Sequence, residues 1–284
     1  MSVRAVLLLS CADQKGLVAT VADWIYRQGG NIVEADQHSD VEMGVFLQRI
    51  EWDLEGFDLD REEIGGAFRP VAERFGMRWD LRFTDQVARM AILVSKLGHC
   101  LYDLLWRQKA GDFRAVVPLV VSNHTDLREA ATSFGARFEC VPVTPEAREA
   151  AEVRLAAVLE EERIELVVLA RYMQVLGPLL LERYPQRIIN IHHSFLPAFV
   201  GARSYHQAYE RGVKAIGATA HYVTADLDQG PIIEQDVARV SHRDSVDDLL
   251  RKGRDLEKVV LARAVDLHLR HGVLVYGNKT VVFD

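Results

Sequence analysis

Leu166-Val167-Val168-Leu169 is apolar at every position. A strand wet on one side alternates apolar with polar residues, whereas a strand covered on both faces does not. The segment therefore reads as a central strand with helices above and below it. Working outward, Met90–Ser95, Ala115–Ser122, Phe138–Val141 and Ile188–Ile191 read as further strands, with helical stretches between them. Alternating strand and helix predicts a mostly parallel sheet in an α/β domain. Strands near 215–223 and 231–238, a long helix over about 245–271 and a hairpin at Gly277-Asn278 complete a domain expected over residues 90–284.

Residues 1–84 follow another rhythm. Val3–Leu9 reads as a strand, and Leu17, Val21, Trp24 and Ile25 mark one face of a helix that ends at Gly29-Gly30. Strands near 31–38 and 43–52 follow, and Ile64, Phe68, Val71 and Phe75 mark a second helix. Met77, Trp79, Leu81 and Phe83 then alternate with Arg78, Asp80 and Arg82, a clean period of two. The order β-α-β-β-α-β predicts a ferredoxin-like unit, with residues 85–89 as linker.

Composition removes whole classes of function. The formal charge is −7, and residues 1–84 hold 9 Lys/Arg against 15 Asp/Glu, so nearly all of the excess lies there. A nucleic-acid-binding chain needs a basic surplus to neutralise phosphates, and none is visible. No apolar run approaches the roughly 18 residues of a membrane span, and the N-terminus lacks a signal-peptide pattern. Cys11, Cys100 and Cys140 are odd in number and far apart, which predicts a reducing, cytoplasmic setting. The His192-His193 pair has no matching ligand spacing, so no metal is expected.

The chemistry gathers in two stretches. Asn190-Ile191-His192-His193-Ser194-Phe195-Leu196-Pro197 follows the apolar Ile188-Ile189, so it reads as a buried strand breaking into a loop. Asp228-Gln229-Gly230-Pro231 is a carboxylate in a Gly-Pro loop. Strand ends of an open α/β sheet are where ligands bind. An amide can donate to a carbonyl oxygen, an imidazole can move or stabilise charge, and a carboxylate can orient or deprotonate a nucleophile. The residues alone leave open which of His192 and Asp228 is the base. The roles of His193 and of the Ser95–Cys100 loop are open too.

Longer matches identify a resemblance. Val121-Ser122-Asn123-His124, Leu169–Leu176, Asn190–Pro197, Tyr205–Tyr209, Gly217–His221 and Asp228–Gln235 resemble the Rossmann-like domain of the 10-formyltetrahydrofolate formyltransferase family. Residues 1–84 resemble an ACT domain, a small amino-acid-sensing module. Together the two resemble the formyltetrahydrofolate deformylases over essentially the whole chain. The resemblance implies a catalytic trio of Asn190, His192 and Asp228, with His221 and Gly230 in support. It also implies a pterin cleft along Met173, Gln174, Val175, Leu176 and Leu227. No cofactor or metal is implied, since 10-formyltetrahydrofolate is the substrate.

The acceptor is expected to be water. Relatives that formylate glycinamide ribonucleotide carry a glycine-rich phosphate loop after the first strand of this domain. Here that loop is Ser95-Lys96-Leu97-Gly98-His99-Cys100, with one glycine. Relatives that formylate initiator tRNA carry a C-terminal RNA-binding extension, and the fold here is expected to finish at Asp284. Hydrolysis to tetrahydrofolate and formate, supplying purine synthesis, is the reading favoured. Transfer to glycinamide ribonucleotide and an amino-acid-sensing regulator with an inactive second domain are the alternatives. The resemblance of residues 1–84 implies a homo-oligomer with glycine or methionine as effectors.

Overall fold

The computed structural model describes residues 2–198 and 204–283, which divide into two compact units. The first comprises residues 1–86 together with 270–284, and the second comprises 87–269.

In the first unit, β1 (Arg4–Ala12), α1 (Leu17–Arg27), β2 (Asn31–Asp40), β3 (Val45–Asp53), α2 (Arg61–Phe75) and β4 (Arg78–Phe83) follow the expected order. The strands form an antiparallel sheet ordered β2-β3-β1-β4. Alternate residues of β1 and β3 (Leu7, Leu9, Ile50 and Trp52) join Leu17, Val21, Ile25, Ile64 and Phe68 of the helices in one core.

The other face accounts for a departure from the sequence reading. Leu8 and Leu47 pack with Phe283 and with Leu274, Tyr276 and Val281 of the hairpin β12 (Val273–Tyr276) and β13 (Lys279–Val282). The C-terminal hairpin therefore belongs to the first unit and not to the 90–284 domain. Its physical reason lies in β1, where five consecutive apolar residues, Ala5 to Leu9, are all buried. Such a strand needs a cover on both faces. Buried Arg49 fastens the cover, donating to Glu34 and Glu51, each at 2.7 Å, and to the His271 carbonyl at 3.2 Å.

His271 is held there at a cost in acid. Burial, then the charge of Arg82, pushes its pKa down from 6.5 to about 4. Its neutral form suits the fold, so this contribution is complete above pH 6.5 and fades as pH falls from 6.5 towards 4. The loss amounts to about 3 kcal/mol. His271→Asn, which keeps a residue tolerant of the positive φ there, should flatten stability against pH across that window. Unfolding by urea at pH 7, 5.5 and 4 measures it, and equal slopes in both proteins refute it.

The second unit runs β5 (Ala88–Val94), α3 (His99–Ala110), β6 (Ala115–Ser122), α4 (Arg128–Ser133), β7 (Arg137–Cys140), α5 (Arg148–Glu161), β8 (Leu166–Leu169), α6 (Pro178–Arg183), β9 (Ile188–His192), α7 (Ser204–Arg211), β10 (Ala215–Tyr222), β11 (Ile232–Arg239) and α8 (Val246–Leu269). Its seven-stranded sheet is ordered β11-β10-β9-β8-β5-β6-β7. Pairs from β9 to β7 are parallel, and β10 and β11 add antiparallel strands at one edge. The chain leaves β5 for β6 on one side and later returns to β8 on the other. A crevice therefore opens beyond the carboxyl ends of β5 and β8. Ser245 and Asp248 cap α8 reciprocally, Ser245 N–H to Asp248 Oδ2 at 2.9 Å and Asp248 N–H to Ser245 Oγ at 3.2 Å. Among the described residues no helix is long and apolar enough to cross a membrane.

Candidate active site

The period of two along β9 sets Asn190 and His192 on one face of the sheet. Antiparallel β10 places His221 directly opposite Asn190, and Thr219 opposite His192. A register shift between Ala220 and His221 in the β10–β11 pairing marks an irregularity beside this face. Thr219 Oγ1 donates to the Ser194 carbonyl at 2.9 Å and accepts from Leu196 N–H at 3.1 Å, so it braces the loop leaving β9.

Asp228 reaches this face from the loop between β10 and β11. Its Oδ2 lies 3.1 Å from His192 Nδ1, and its Oδ1 lies 3.6 Å from His221 Nε2. The first is a hydrogen bond; the second is too long for one. The His192 hydrogen bond holds the Asp228 carboxyl well below the usual carboxylate range against the opposing effect of burial. Asp228 sits at φ 56°, a left-handed conformation that Asp tolerates better than most residues. The loop is pinned behind it, because Tyr222 N–H donates to the Pro231 carbonyl at 2.9 Å and Gly230 is pressed against the Tyr222 carbonyl.

Hydrogen-bond directions follow from the partners. The Tyr222 carbonyl can only accept, so His221 Nδ1, 3.0 Å away, carries a proton. In the neutral ring Nε2 then accepts from Asn190 Nδ2 at 3.2 Å. His221, expected to orient Asp228, thus orients Asn190 more directly. Asn190 keeps a second N–H for another acceptor. His192 Nε2 is buried and has no hydrogen-bond partner among the described residues. A buried polar atom of this kind is costly unless something binds it.

The expected cleft residues divide. The backbone after β8 is irregular from Ala170 to Gly177, as an edge-binding segment requires, and Met173 and Val175 are exposed. Gln174 lines a small cavity with Val175, Arg148 and Glu152. Leu227 is exposed in its own loop. Leu176 is less open than expected, because its side chain is buried in the core with Leu155 and Leu180, although it also lines the small cavity beside Gln174. Ser95 Oγ ties the segment to the sheet, accepting from Met173 N–H at 3.0 Å and donating to Asn123 Oδ1 at 2.7 Å.

The Ser95–Cys100 loop holds a cluster that the sequence reading did not assemble. Lys96 is exposed, but His99 Nε2 lies 2.7 Å from Glu257 Oε2. Tyr205 donates to Glu257 Oε1 at 2.7 Å, and Arg171 Nε is 3.5 Å from Oε2. Burial disfavours the Glu257 carboxylate, yet the His99 hydrogen bond and the Arg171 charge outweigh it and lower its pKa. One signal was available, since Leu249, Gly253, Glu257 and Leu261 form an i, i+4 stripe in which a carboxylate interrupts the buried face. His99, Cys100 and Glu257 are close enough to surround a cation. Arg171 already occupies that role, and burial, then the charge of Glu257, pushes the Cys100 thiol well up, away from a metal-binding thiolate.

An amide and an imidazole on a strand end face a loop carboxylate beside the switch point of a parallel sheet, an arrangement able to handle a carbonyl carbon. The profile of the Formyl transferase family matches residues 88–265. Over its full length the chain is 56% identical to a formyltetrahydrofolate deformylase of Synechocystis across 282 residues, covering 99% of each. It is 47% identical to the Bacillus subtilis enzyme of that name, over 98% of this chain and 93% of that one. The crystal structure of a Pseudomonas syringae formyltetrahydrofolate deformylase superposes with a TM-score of 0.98 at 46% identity, covering 100% of this chain and 95% of that one. The chain belongs to the formyltetrahydrofolate deformylase family.

Proposed function

We propose that this chain hydrolyses 10-formyltetrahydrofolate in the cytoplasm through Asn190, His192 and Asp228. The observation that carries the reading is His192, tied to Asp228 through Nδ1 and presenting a buried, unpartnered Nε2. Asp228, held well below the carboxylate range, is a weak proton acceptor near neutral pH. It orients the water and keeps the imidazole in one tautomer. Water attacks the formyl carbon, and His192 Nε2 takes its proton. The carbonyl oxygen becomes an oxyanion facing the second N–H of Asn190. Donors of this kind contribute about 2.7–4 kcal/mol where they have been removed elsewhere. His192 then passes the proton to N10, the C–N10 bond breaks as the oxyanion re-forms a carbonyl, and tetrahydrofolate leaves with formic acid, which gives its remaining proton to water to become formate. The exposed Met173 and Val175 and the backbone around Gln174 offer the flat pterin ring a face and an edge, with Leu227 from the facing loop.

Water is favoured over an amine acceptor because the Ser95–Cys100 loop offers no phosphate cradle. His99 is bound to Glu257, Ser95 braces the cleft segment, and the single glycine opens α3. An amine nucleophile needs its own anchor to reach a high effective concentration, whereas water does not. With formyl-labelled substrate and glycinamide ribonucleotide together, the label should appear in formate in step with tetrahydrofolate. Label recovered in the ribonucleotide overturns the reading.

The first unit is proposed as an ACT module that joins subunits and answers to glycine or methionine. The βαββαβ order supports this, as do its glycines. Gly16 and Gly29 have φ of 91° and 71°, and a Cβ at Gly30 would press on the Ile25 side chain. The C-terminal hairpin sets the terms of the test. Deleting residues 1–84 alone leaves Leu274, Tyr276, Val281 and Phe283 without the sheet that covers them. A chain of residues 87–269 should instead fold, keep hydrolysis, lose any response to those amino acids and fall in oligomer size. Identical effector curves and identical mass in solution for the two chains refute the regulatory reading.

A further inference from the structure

Beside His192 lies a cavity of about 80 Å³ lined by Arg171, His193, Tyr205, Arg254 and Glu257, among others. The ring of its lining residue His193 lies 5.1 Å, centroid to centroid, from that of His192. Three observations give it a chemical character. Arg171 is nine-tenths buried, and among the described residues its Nε finds no hydrogen-bond partner and its closest carboxylate oxygen is at 3.5 Å. Its backbone is held at φ 65°, a conformation costly for a long side chain and found where the surroundings enforce it. Arg254 is exposed at the cavity's edge and makes no ion pair among the described residues. Against these two guanidinium groups stands one carboxylate, Glu257, already bonded by His99 and Tyr205. The lining therefore carries one surplus positive charge before any histidine is counted.

We infer that this cavity receives formate as it leaves the trio, with Arg171 and Arg254 as its cationic partners. The inference rests on the hydrolytic reading above. A monoanion matches the single surplus charge, whereas a phosphate dianion exceeds it and faces the buried carboxylate of Glu257 as well. The volume suits a three-heavy-atom ion with its water, since one water needs only about 10–15 Å³ on this measure. Guanidinium binds carboxylate oxygens through planar, charge-assisted contacts that an imidazole alone cannot supply. Formate received there vacates the space over His192 Nε2 before tetrahydrofolate departs, so the two products leave by separate routes.

The experiment measures the linewidth of ¹³C-formate against the full-length protein without folate, so it reads binding whether or not the protein turns over. Wild type should broaden the signal saturably. Arg254→Gln, which removes an exposed and unpaired cation, should weaken formate about tenfold, the loss of one charge-assisted contact. Its turnover at low formate should stay within about twofold of wild type, while inhibition by added formate weakens in parallel. Asp228→Asn should bind formate as wild type does, because the cavity lies outside the trio. No broadening, equal affinity in Arg254→Gln, loss of affinity in Asp228→Asn, or displacement by phosphate at lower concentration than by unlabelled formate each overturns the assignment. Failure of the hydrolytic reading shows separately, as absence of formate release in the labelled-substrate assay.

Discussion

Asp228→Asn will leave the protein folded and binding folate while formate release falls about 10³-fold. Asparagine accepts the left-handed conformation at this position nearly as readily as aspartate, so the backbone loses little. What changes is the partner of His192. A carboxylate only accepts, and at 3.1 Å it fixes the proton on Nδ1 and leaves Nε2 to the reaction. An amide that turns its NH₂ group towards Nδ1 selects the opposite tautomer, putting the proton on Nε2, where the water's proton must go. The lost negative charge also removes the stabilisation of imidazolium as it forms. The effect should appear in kcat with little change in KM, since interactions made only in the transition state are the ones removed. The pair also contributes stability above the unfolded carboxylate value of about 3.9, lost as pH falls below it. The variant should therefore show a shallower acid limb. Turnover near wild type in a folded variant takes Asp228 out of the mechanism.

Much of this was legible in the chain because it is written in short periods. The alternation of Met77 to Phe83 and the unbroken apolarity of Leu166 to Leu169 placed the edge and central strands. Asn190 and His192 could be read as same-face neighbours from their spacing alone. What stayed hidden depends on contacts distant in sequence. Val273–Val282 reads as a hairpin whichever sheet it covers, and nothing local says that Leu8 and Leu47 are its partners. Leu176 is a cleft residue only by the resemblance of Leu169–Leu176 to the family, and nothing in that stretch says that its side chain packs in the core with Leu155 of α5 and Leu180 of α6. The pairing of His221 with Asn190 depends on the register of β10 against β9, which no propensity encodes. The Glu257 cluster joins residues from α3, the loop after β8, α7 and α8, so only the misplaced carboxylate on the buried stripe of α8 announced it.

Gly230→Ala should lower kcat about 10²-fold while leaving the two cores intact. The glycine has no unusual φ, so its identity is dictated by space. A Cβ there would drive into the carbonyl of Tyr222, with the Tyr222 C and Thr224 Cγ2 close behind at 2.9 and 3.2 Å. The obstacle is backbone of β10, and that backbone is already engaged, because Tyr222 N–H donates to Pro231 and the Tyr222 carbonyl accepts from His221 Nδ1. Relief must come from one of two movements. If the loop backs away, Asp228 retreats from His192, and a displacement of about 1 Å is enough for a loss of this size. If the carbonyl turns, His221 loses the acceptor that fixes its tautomer, and Asn190 loses its orientation with it. Either way the damage concentrates on turnover. Gly66→Ala is the contrasting control, since a Cβ on that helical glycine meets nothing within 4 Å and should be harmless or mildly stabilising. Kinetics and thermal unfolding of both variants decide the matter. A Gly230→Ala enzyme with wild-type kcat means that the loop can shift without moving Asp228, and the rigid support assigned to Gly230 and Pro231 would then be wrong.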